Sequence, residues 1–113
     1  MIIETPTFLK SGNYRLFCIN YRPEKGHCTD AIILCQPFIE EHLSSLRVLV
    51  NFARTLAFHG YHALRFDYMG YGDSEGNFED TTVESMINDI DSTVKYLKHS
   101  YQLKKVGLFG IRF

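Results

Sequence analysis

Asp-Tyr-Met-Gly-Tyr-Gly-Asp-Ser-Glu-Gly, residues 67–76, is the most informative stretch of this sequence. It follows a segment of strand character, residues 61–67, and contains Gly70, Gly72 and Gly76. Glycine adopts positive φ angles at little steric cost. Three glycines so closely spaced after a strand therefore predict an ordered loop with unusual backbone angles.

Two polar residues of this loop are candidates for catalysis, but their context favours structural roles. Ser74 stands in Gly-Asp-Ser-Glu-Gly, and we expect its hydroxyl to fix the loop geometry by bonding local backbone. Asp67 lies at the end of the preceding strand, where we expect its carboxylate to accept hydrogen bonds from N–H groups of the loop.

Hydrophobic periodicity defines the elements on either side of the loop. Ala31–Cys35 is a continuous apolar run, typical of a strand buried on both faces. Ser11-Gly12-Asn13 is a turn signal between two strand-like stretches, and Gly60 stands where a helix would end. The predicted strands are residues 5–9, 14–21, 31–35, 61–67 and 105–109, and the predicted helices are residues 43–59 and 82–99.

The second helix is the best-signalled element. Thr81 and Glu84 have the spacing of a capping box. Its charges run from acidic to basic, which complements the helix dipole, and we interpret them as a solvated face. The acids are Glu84, Asp89 and Asp91, and the predicted apolar face is Val83, Met86, Ile87, Ile90, Val94 and Leu97.

Strands that alternate with helices of this length predict right-handed crossovers and parallel pairing. The predicted fold class is α/β, a three-layer α/β/α sandwich whose mostly parallel sheet carries an N-terminal antiparallel hairpin. We expect the strands at 31–35, 61–67 and 105–109 to be parallel neighbours, with the two helices on opposite faces. A length of 113 residues fits a single domain, residues 1–113.

Composition excludes several classes of protein. Hydrophobic residues make up 45% and charged residues 22%, which is globular rather than disordered, and a net charge of −1 gives no footprint for nucleic acid. The apolar runs are too short to cross a bilayer, and no signal peptide is expected. Cys18, Cys28 and Cys35 are odd in number and show no metal-ligand spacing, which favours a reducing, cytoplasmic location and no metal site.

The loop at 67–76 resembles the Asp-x-x-Gly-x-Gly-x-Ser-x-Gly loop after the fourth strand of α/β-hydrolases, especially the esterase, lipase and serine-aminopeptidase-like branch. Residues 36–41 and 110–113 stand, in order, where that family has its oxyanion loop and its nucleophile elbow. The resemblance implies a truncated α/β-hydrolase fold, in which this chain is the N-terminal half. Pro-Phe-x-Glu-Glu at 37–41, the loop through Asp80 and an arginine in the elbow also resemble exosortase-associated hydrolase-like proteins.

The resemblance further implies roles at the site. Gly110 stands at the elbow, and Arg112 occupies the position of the nucleophilic serine. The backbone N–H groups of Phe38 and Phe113 would be the two oxyanion donors. Arginine has no nucleophilic oxygen and stays protonated, and the family order places the acid and the histidine later. No catalytic residue is therefore expected in this chain, and its five histidines all precede the elbow.

Two functions follow from this reading. The first is an α/β-hydrolase-type protein acting on ester, thioester or amide bonds of a small molecule, inactive as this chain alone. The alternative is a non-catalytic hydrolase-like binding protein or fragment in which Arg112 holds an anion such as a carboxylate. The unpaired apolar strand at 105–109 also predicts self-association or a complementing C-terminal half.

The loop glycines also approach the dinucleotide-binding spacing, but this alternative is weaker. Gly76 falls one residue late for that fingerprint, and no acid follows the next strand to contact a ribose. No cofactor is therefore expected.

Overall fold

Five strands form one mixed sheet in the computed structural model, which describes residues 1–35 and 42–110, apart from the side chains of 42–46. The strands are β1 (Ile2–Ser11), β2 (Tyr14–Pro23), β3 (Asp30–Cys35), β4 (His62–Phe66) and β5 (Lys105–Gly110), and the helices are α1 (His42–Phe58) and α2 (Val83–Ser100). A short 3-10 helix, Phe78–Asp80, precedes α2. The seven predicted elements are all present, with ends shifted by three residues or fewer.

The sheet has the order β1-β2-β4-β3-β5. β3 pairs in parallel with β4 on one side and β5 on the other, which confirms the predicted parallel neighbours. β2 pairs antiparallel with both β1 and β4, so the N-terminal hairpin extends the sheet at one edge and makes the sheet mixed. β5 forms the opposite edge.

Strand β3, which lies between β4 and β5, is buried on both faces, as its apolar run predicts. Ala31, Ile33 and Cys35 belong to a core cluster that includes Met86 of α2. Leu34 belongs to a second cluster with residues of α1. Because successive side chains of a strand point to opposite faces, the two helices cover opposite faces of the sheet. This confirms the predicted three layers.

Helix α1 packs closely on the sheet and ends abruptly. Its buried side chains are small or medium in size (Leu49, Ala53 and Ala57), so its backbone approaches the strands closely. At its end, Gly60 N–H donates to Ala57 O at 3.1 Å and the next N–H donates to Leu56 O at 3.0 Å. This pair of bonds is a Schellman motif, and Gly60 takes the φ of +96° that it requires.

Helix α2 differs from the sequence-based prediction in its capping residues and in its buried face. Its capping box uses Thr82 and Ser85, each side chain bonding the other's backbone N–H, and not Thr81 and Glu84. The Thr81 hydroxyl instead donates to Met69 O at 2.9 Å, because the short 3-10 helix shifts the start of α2 by one residue.

The buried stripe of α2 also differs from the predicted apolar face. Val83 and Ile87 are each 58% exposed, whereas Asp89, expected on the solvated face, is buried. Asp89 lies three residues after Met86 and four before Thr93, both of which are fully buried. The buried stripe of the helix therefore mixes polar and apolar side chains, and its Asp89 bonds Ser11 at the end of β1.

Strand β5 presents an apolar edge. Leu108 is 57% exposed and Phe109 38% exposed, although the Phe109 ring contacts that of Phe52 with centroids 4.7 Å apart. Among the described residues only β3 pairs with β5. Neither described helix is long and apolar enough to span a membrane.

Candidate active site

The candidate site lies where the parallel strands end. β3 ends at Cys35, β4 at Phe66 and β5 at Gly110, and Cys35 pairs with Gly110 in the parallel register. The glycine loop begins directly after β4 and therefore lies along this edge. In open α/β sheets, ligands bind at the carboxyl ends of the parallel strands.

Asp67 and Ser74 tie the loop to the end of β4. The Ser74 hydroxyl donates to Asp67 O at 2.5 Å and accepts from Phe17 N–H of β2 at 2.8 Å. The Asp67 carboxylate accepts from Asp73 N–H at 3.1 Å. The backbone N–H of Asp67 donates to Phe17 O at 3.0 Å. The Ser74 side chain thus bonds backbone groups of both the loop and β2, whereas the Asp67 side chain bonds the loop and its backbone N–H bonds β2.

Two loop glycines are required by their surroundings. Gly72 has φ +49°, and a Cβ at that position would overlap the Asp67 carboxylate. Gly70 has φ +83°, and a Cβ there would lie 2.6 Å from Asn77 O. Gly76 lies against the Met69 side chain, and Gly70 N–H donates across the loop to Glu75 O at 2.9 Å.

Glu75 anchors the outer side of the loop to β2. Its carboxylate accepts from Arg15 N–H at 2.8 Å and from the Arg15 guanidinium at 3.1 and 3.2 Å. Hydrogen bonds from the backbone and side chain of Arg15 lower the pKa of Glu75. Both side chains are exposed, so this ion pair positions the loop more than it stabilises the fold.

Asp89 anchors the inner side of the loop, a role that its sequence context did not predict. Its carboxylate accepts from the Ser11 hydroxyl at 2.8 Å and from Met69 N–H at 2.8 Å. Burial raises its pKa, while these two bonds act in the opposite direction. An open depression of about 330 Å³ lies beside it, between the β1–β2 turn and α2. The signal that finds Asp89 is its spacing from Met86 and Thr93.

Tyr68 and Cys35 place two buried polar groups at the same edge. Tyr68 is 2% exposed, and its hydroxyl makes no hydrogen bond of ordinary geometry with the described residues. Burial raises the pKa of Tyr68, and the neighbouring Cys35 thiol adds to the rise. Burial likewise raises the pKa of Cys35, and Tyr68 opposes that effect. The thiol is therefore a neutral core group.

Several residues assigned by resemblance lie outside the described part of the chain. Phe38, Arg112 and Phe113 are among them, so the oxyanion donors and the nucleophile position stay predictions. Gly110 is described, and a Cβ there would meet, of the described atoms, only Cys35 Cβ at 4.0 Å.

His62 lies at the other end of the sheet and is not part of this site. It begins β4, is 1% exposed, and its Nε2 bonds Asn20 Oδ1 at 2.7 Å. Burial, with a contribution from Arg22, lowers the pKa of His62 to about 4. Within residues 1–35 and 42–110, no group of three or more His, Cys, Asp or Glu residues is arranged to hold a metal ion.

Solved structures similar to this chain include serine hydrolases and esterases. The chain aligns with Est1E from Butyrivibrio proteoclasticus, solved with ferulic acid, at a TM-score of 0.78 and 24% identity over 92% of this chain. An α/β serine hydrolase homologue from Coxiella burnetii aligns at 0.76 and 20% over 94%. The Pyrococcus furiosus esterase Pf2001 aligns at 0.74 and 20% over 96%.

The chain spans 41%, 50% and 42% of those three chains, respectively. It therefore has a partial α/β-hydrolase fold, and the part that it matches is the N-terminal part. No protein-family model matches the sequence, and no curated protein matches it either.

Proposed function

We propose that this chain forms the first half of an α/β-hydrolase-type domain and acts, with the second half of such a domain, on ester, thioester or amide bonds of a small molecule. The observation that carries this proposal is the parallel β4–β3–β5 core with a rigid glycine loop at its carboxyl edge. The esterases and serine hydrolases that share this fold support it.

On this proposal the chain supplies the scaffold of the site and not the reacting groups. A nucleophilic serine needs a base to take its proton, whereas the Ser74 hydroxyl is held between Asp67 O and Phe17 N–H. Arg112, by resemblance at the nucleophile position, has no nucleophilic oxygen. The chain alone is therefore expected to be inactive.

The narrower resemblance to exosortase-associated hydrolase-like proteins belongs to this proposal. It is carried by residues 37–41, by the loop up to Asp80 and by Arg112, and it suggests the subgroup of hydrolases to which the whole domain is related. An arginine at the elbow is part of that resemblance and distinguishes it from the esterase pattern.

A second candidate function is anion binding without catalysis, which the arginine at position 112 favours. A guanidinium presents several fixed N–H donors that match a carboxylate in pairs. At the edge where hydrolases bind an acyl group, Arg112 would hold the carboxylate of a ligand.

Labelling with a fluorophosphonate tests the first function, because this reagent modifies activated serines. We expect intact-mass spectrometry to show no adduct on the 113-residue chain, and no turnover of a short nitrophenyl ester above a denatured control. An adduct that maps to Ser74 and disappears in Ser74→Ala would show that the chain carries its own nucleophile.

Titration with acetate distinguishes the second function. Anion binding through Arg112 predicts saturable binding that Arg112→Gln abolishes and that Arg47→Gln, an exposed arginine of α1, leaves unchanged. Equal binding by all three proteins would remove this candidate.

A further inference from the structure

A second cavity lies at the amino ends of the parallel strands, away from the candidate active site. Its volume is about 70 Å³, and its walls include Arg22, Gly26, His27, Cys28, His62 and Tyr101. Cys28 precedes β3 by two residues and His62 begins β4, whereas substrates of this fold bind where these strands end. Nothing in the proposed hydrolase function uses this cavity.

Arg22 brings an unbalanced positive charge to the cavity. The residue is half-buried, and its Nε is buried without a hydrogen-bond partner among the described residues. The ion pairs of the described part of the chain involve Arg15, Arg54 and Lys95, and Arg22 takes part in none of them. A half-buried cation without an ion-pair partner among the described residues is costly, so an anion that pairs with it would be stabilising.

No carboxylate lines the described walls of the cavity. Glu24, the acid closest in sequence to Arg22, is exposed and is not one of the lining residues. Within the described part of the chain, Arg22 therefore acts on its neighbours as a cation without an ion-pair partner. Its charge adds to the burial that lowers the pKa of His62, and it opposes the burial that raises the pKa of Cys28.

We propose that this cavity binds one small oxyanion on the Arg22 guanidinium. A guanidinium offers parallel N–H donors that match two oxygens of a phosphate or carboxylate. A volume of about 70 Å³ exceeds that of a single water and accepts one phosphate, but it is too small for a nucleotide or a sugar. The anion neutralises the charge that Arg22 brings to the cavity.

The bound anion lies beside the Cys28 thiol. Cys28 is half-buried and its Sγ donates to Gly60 O at 3.3 Å, whereas Cys18 and Cys35 are buried. An occupied cavity therefore covers the most accessible thiol among the three cysteines. The reactivity of the Cys28 thiol therefore reports occupancy of the cavity in the wild-type chain, with Arg22 unchanged.

Thermal unfolding with inorganic phosphate is the first test. We expect a rise of about 5 °C at ten times the dissociation constant that continues with the logarithm of the phosphate concentration and is absent with chloride at equal ionic strength. Arg22→Gln should lose the rise, and Arg47→Gln, which removes an exposed charge of α1, should keep it. The proposal is overturned if all three proteins respond alike or if chloride gives the same rise, because either result is a general salt effect.

The rate at which iodoacetamide alkylates Cys28 is the second test, and it uses the wild-type chain. Phosphate at ten times the dissociation constant should slow this reaction about tenfold, since only the unoccupied fraction reacts. Cys28→Ser identifies the phase that belongs to this thiol. A Cys28 rate unchanged by phosphate would overturn the proposal even if Arg22→Gln failed to fold.

Discussion

At the residue scale, polar groups of the glycine loop that resemble catalytic residues hold the loop backbone in place through hydrogen bonds. The Ser74 hydroxyl both donates to the loop backbone and accepts from β2, so its proton and a lone pair are already engaged. The Asp67 carboxylate fills the space that a side chain at Gly72 would need. These two residues and one glycine thus determine each other's position.

Gly72→Ala tests this mutual dependence. The new Cβ overlaps the Asp67 carboxylate, which must move and lose its bond from Asp73 N–H. Gly26→Ala is the matched control, because Gly26 also has positive φ, +92°, but nothing lies within 4 Å of a Cβ there. We expect urea unfolding to show a loss of about 1–2 kcal/mol for Gly26→Ala and roughly 2 kcal/mol more for Gly72→Ala.

The difference between the two losses of unfolding free energy measures how firmly the Asp67 carboxylate is held. Equal losses would mean that only backbone strain matters at Gly72 and that the carboxylate of Asp67 moves freely. In that case Asp67 would not fix the loop.

His62 makes stability depend on pH in a defined window. Its pKa falls from 6.5 to about 4 on folding, mainly through burial, so between these values the unfolded chain binds more protons. The contribution of His62 to stability is therefore complete above pH 6.5 and is lost as the pH falls toward 4. Between pH 7 and pH 5 the expected loss is about 2 kcal/mol.

His62→Gln isolates this effect, since glutamine can still donate to Asn20 but does not titrate. The free energy of unfolding of the two proteins should converge as the pH falls from 7 to 5, because only the wild type loses stability through this group. Parallel pH profiles would contradict a buried neutral histidine.

At the element scale, the helix ends and the strand edge decide how the scaffold holds together. The 3-10 helix places Thr82 at the cap of α2 and leaves Thr81 to bond Met69 O. Thr82→Ala should destabilise the chain by about 1 kcal/mol, because the helix loses a side-chain acceptor for Ser85 N–H. Glu84→Ala, at the position that sequence spacing favours, should change stability by less than about 0.5 kcal/mol.

A thermal or urea unfolding series of these two variants measures the difference. If Glu84→Ala costs more than Thr82→Ala, the capping assignment is wrong by one residue.

Strand β5 is an edge strand with exposed apolar side chains. Its Leu108 is 57% exposed, and among the described residues its outer backbone groups pair with no other strand, which makes this edge a template for further pairing. We expect the chain to self-associate through this edge at low micromolar concentration. Leu108→Lys should lower the mass measured by light scattering, because a charge at an edge strand opposes pairing.

Phe58→Lys is the control, since Phe58 is 75% exposed at the end of α1, outside the sheet edge. An equal fall in mass for both variants would point to general solubility rather than to β5. A wild-type chain that is already a monomer would contradict the expectation.

At the scale of the whole molecule, the fold was predictable because its signals are local and repeated. The run Ala31–Cys35 predicts a strand buried on both faces, and helical spacing ended by Gly60 predicts α1. The burial of Asp89 was missed because it depends on tertiary contacts: its carboxylate bonds Ser11 at the end of β1 and Met69 N–H of the loop. The hairpin was expected at one edge of the sheet, but which of its strands joins which neighbour depends on pairing between residues distant in sequence, here β2 with β4.

The candidate site was predictable in its loop and less so in its surroundings. Composition and spacing identify Asp67, Gly72 and Ser74, but no local pattern predicts that Tyr68 and Cys35 lie together. That contact arises from the parallel pairing of β3 with β4, which brings their carboxyl ends to one edge.

If this chain is one half of a hydrolase-type domain, as proposed, β5 is open on the side away from β3. Residue-level amide hydrogen exchange tests this openness of β5. The exchange is measured at a concentration where light scattering reports a monomer, or in Leu108→Lys if the wild-type chain is not monomeric at any usable concentration. In a parallel pair alternate residues bond the neighbour, so alternate amides of β5 should be protected by β3 and the intervening ones should exchange rapidly. Protection at every residue from Lys105 to Gly110 in a monomer would contradict the claim, because both sides of β5 would then be paired.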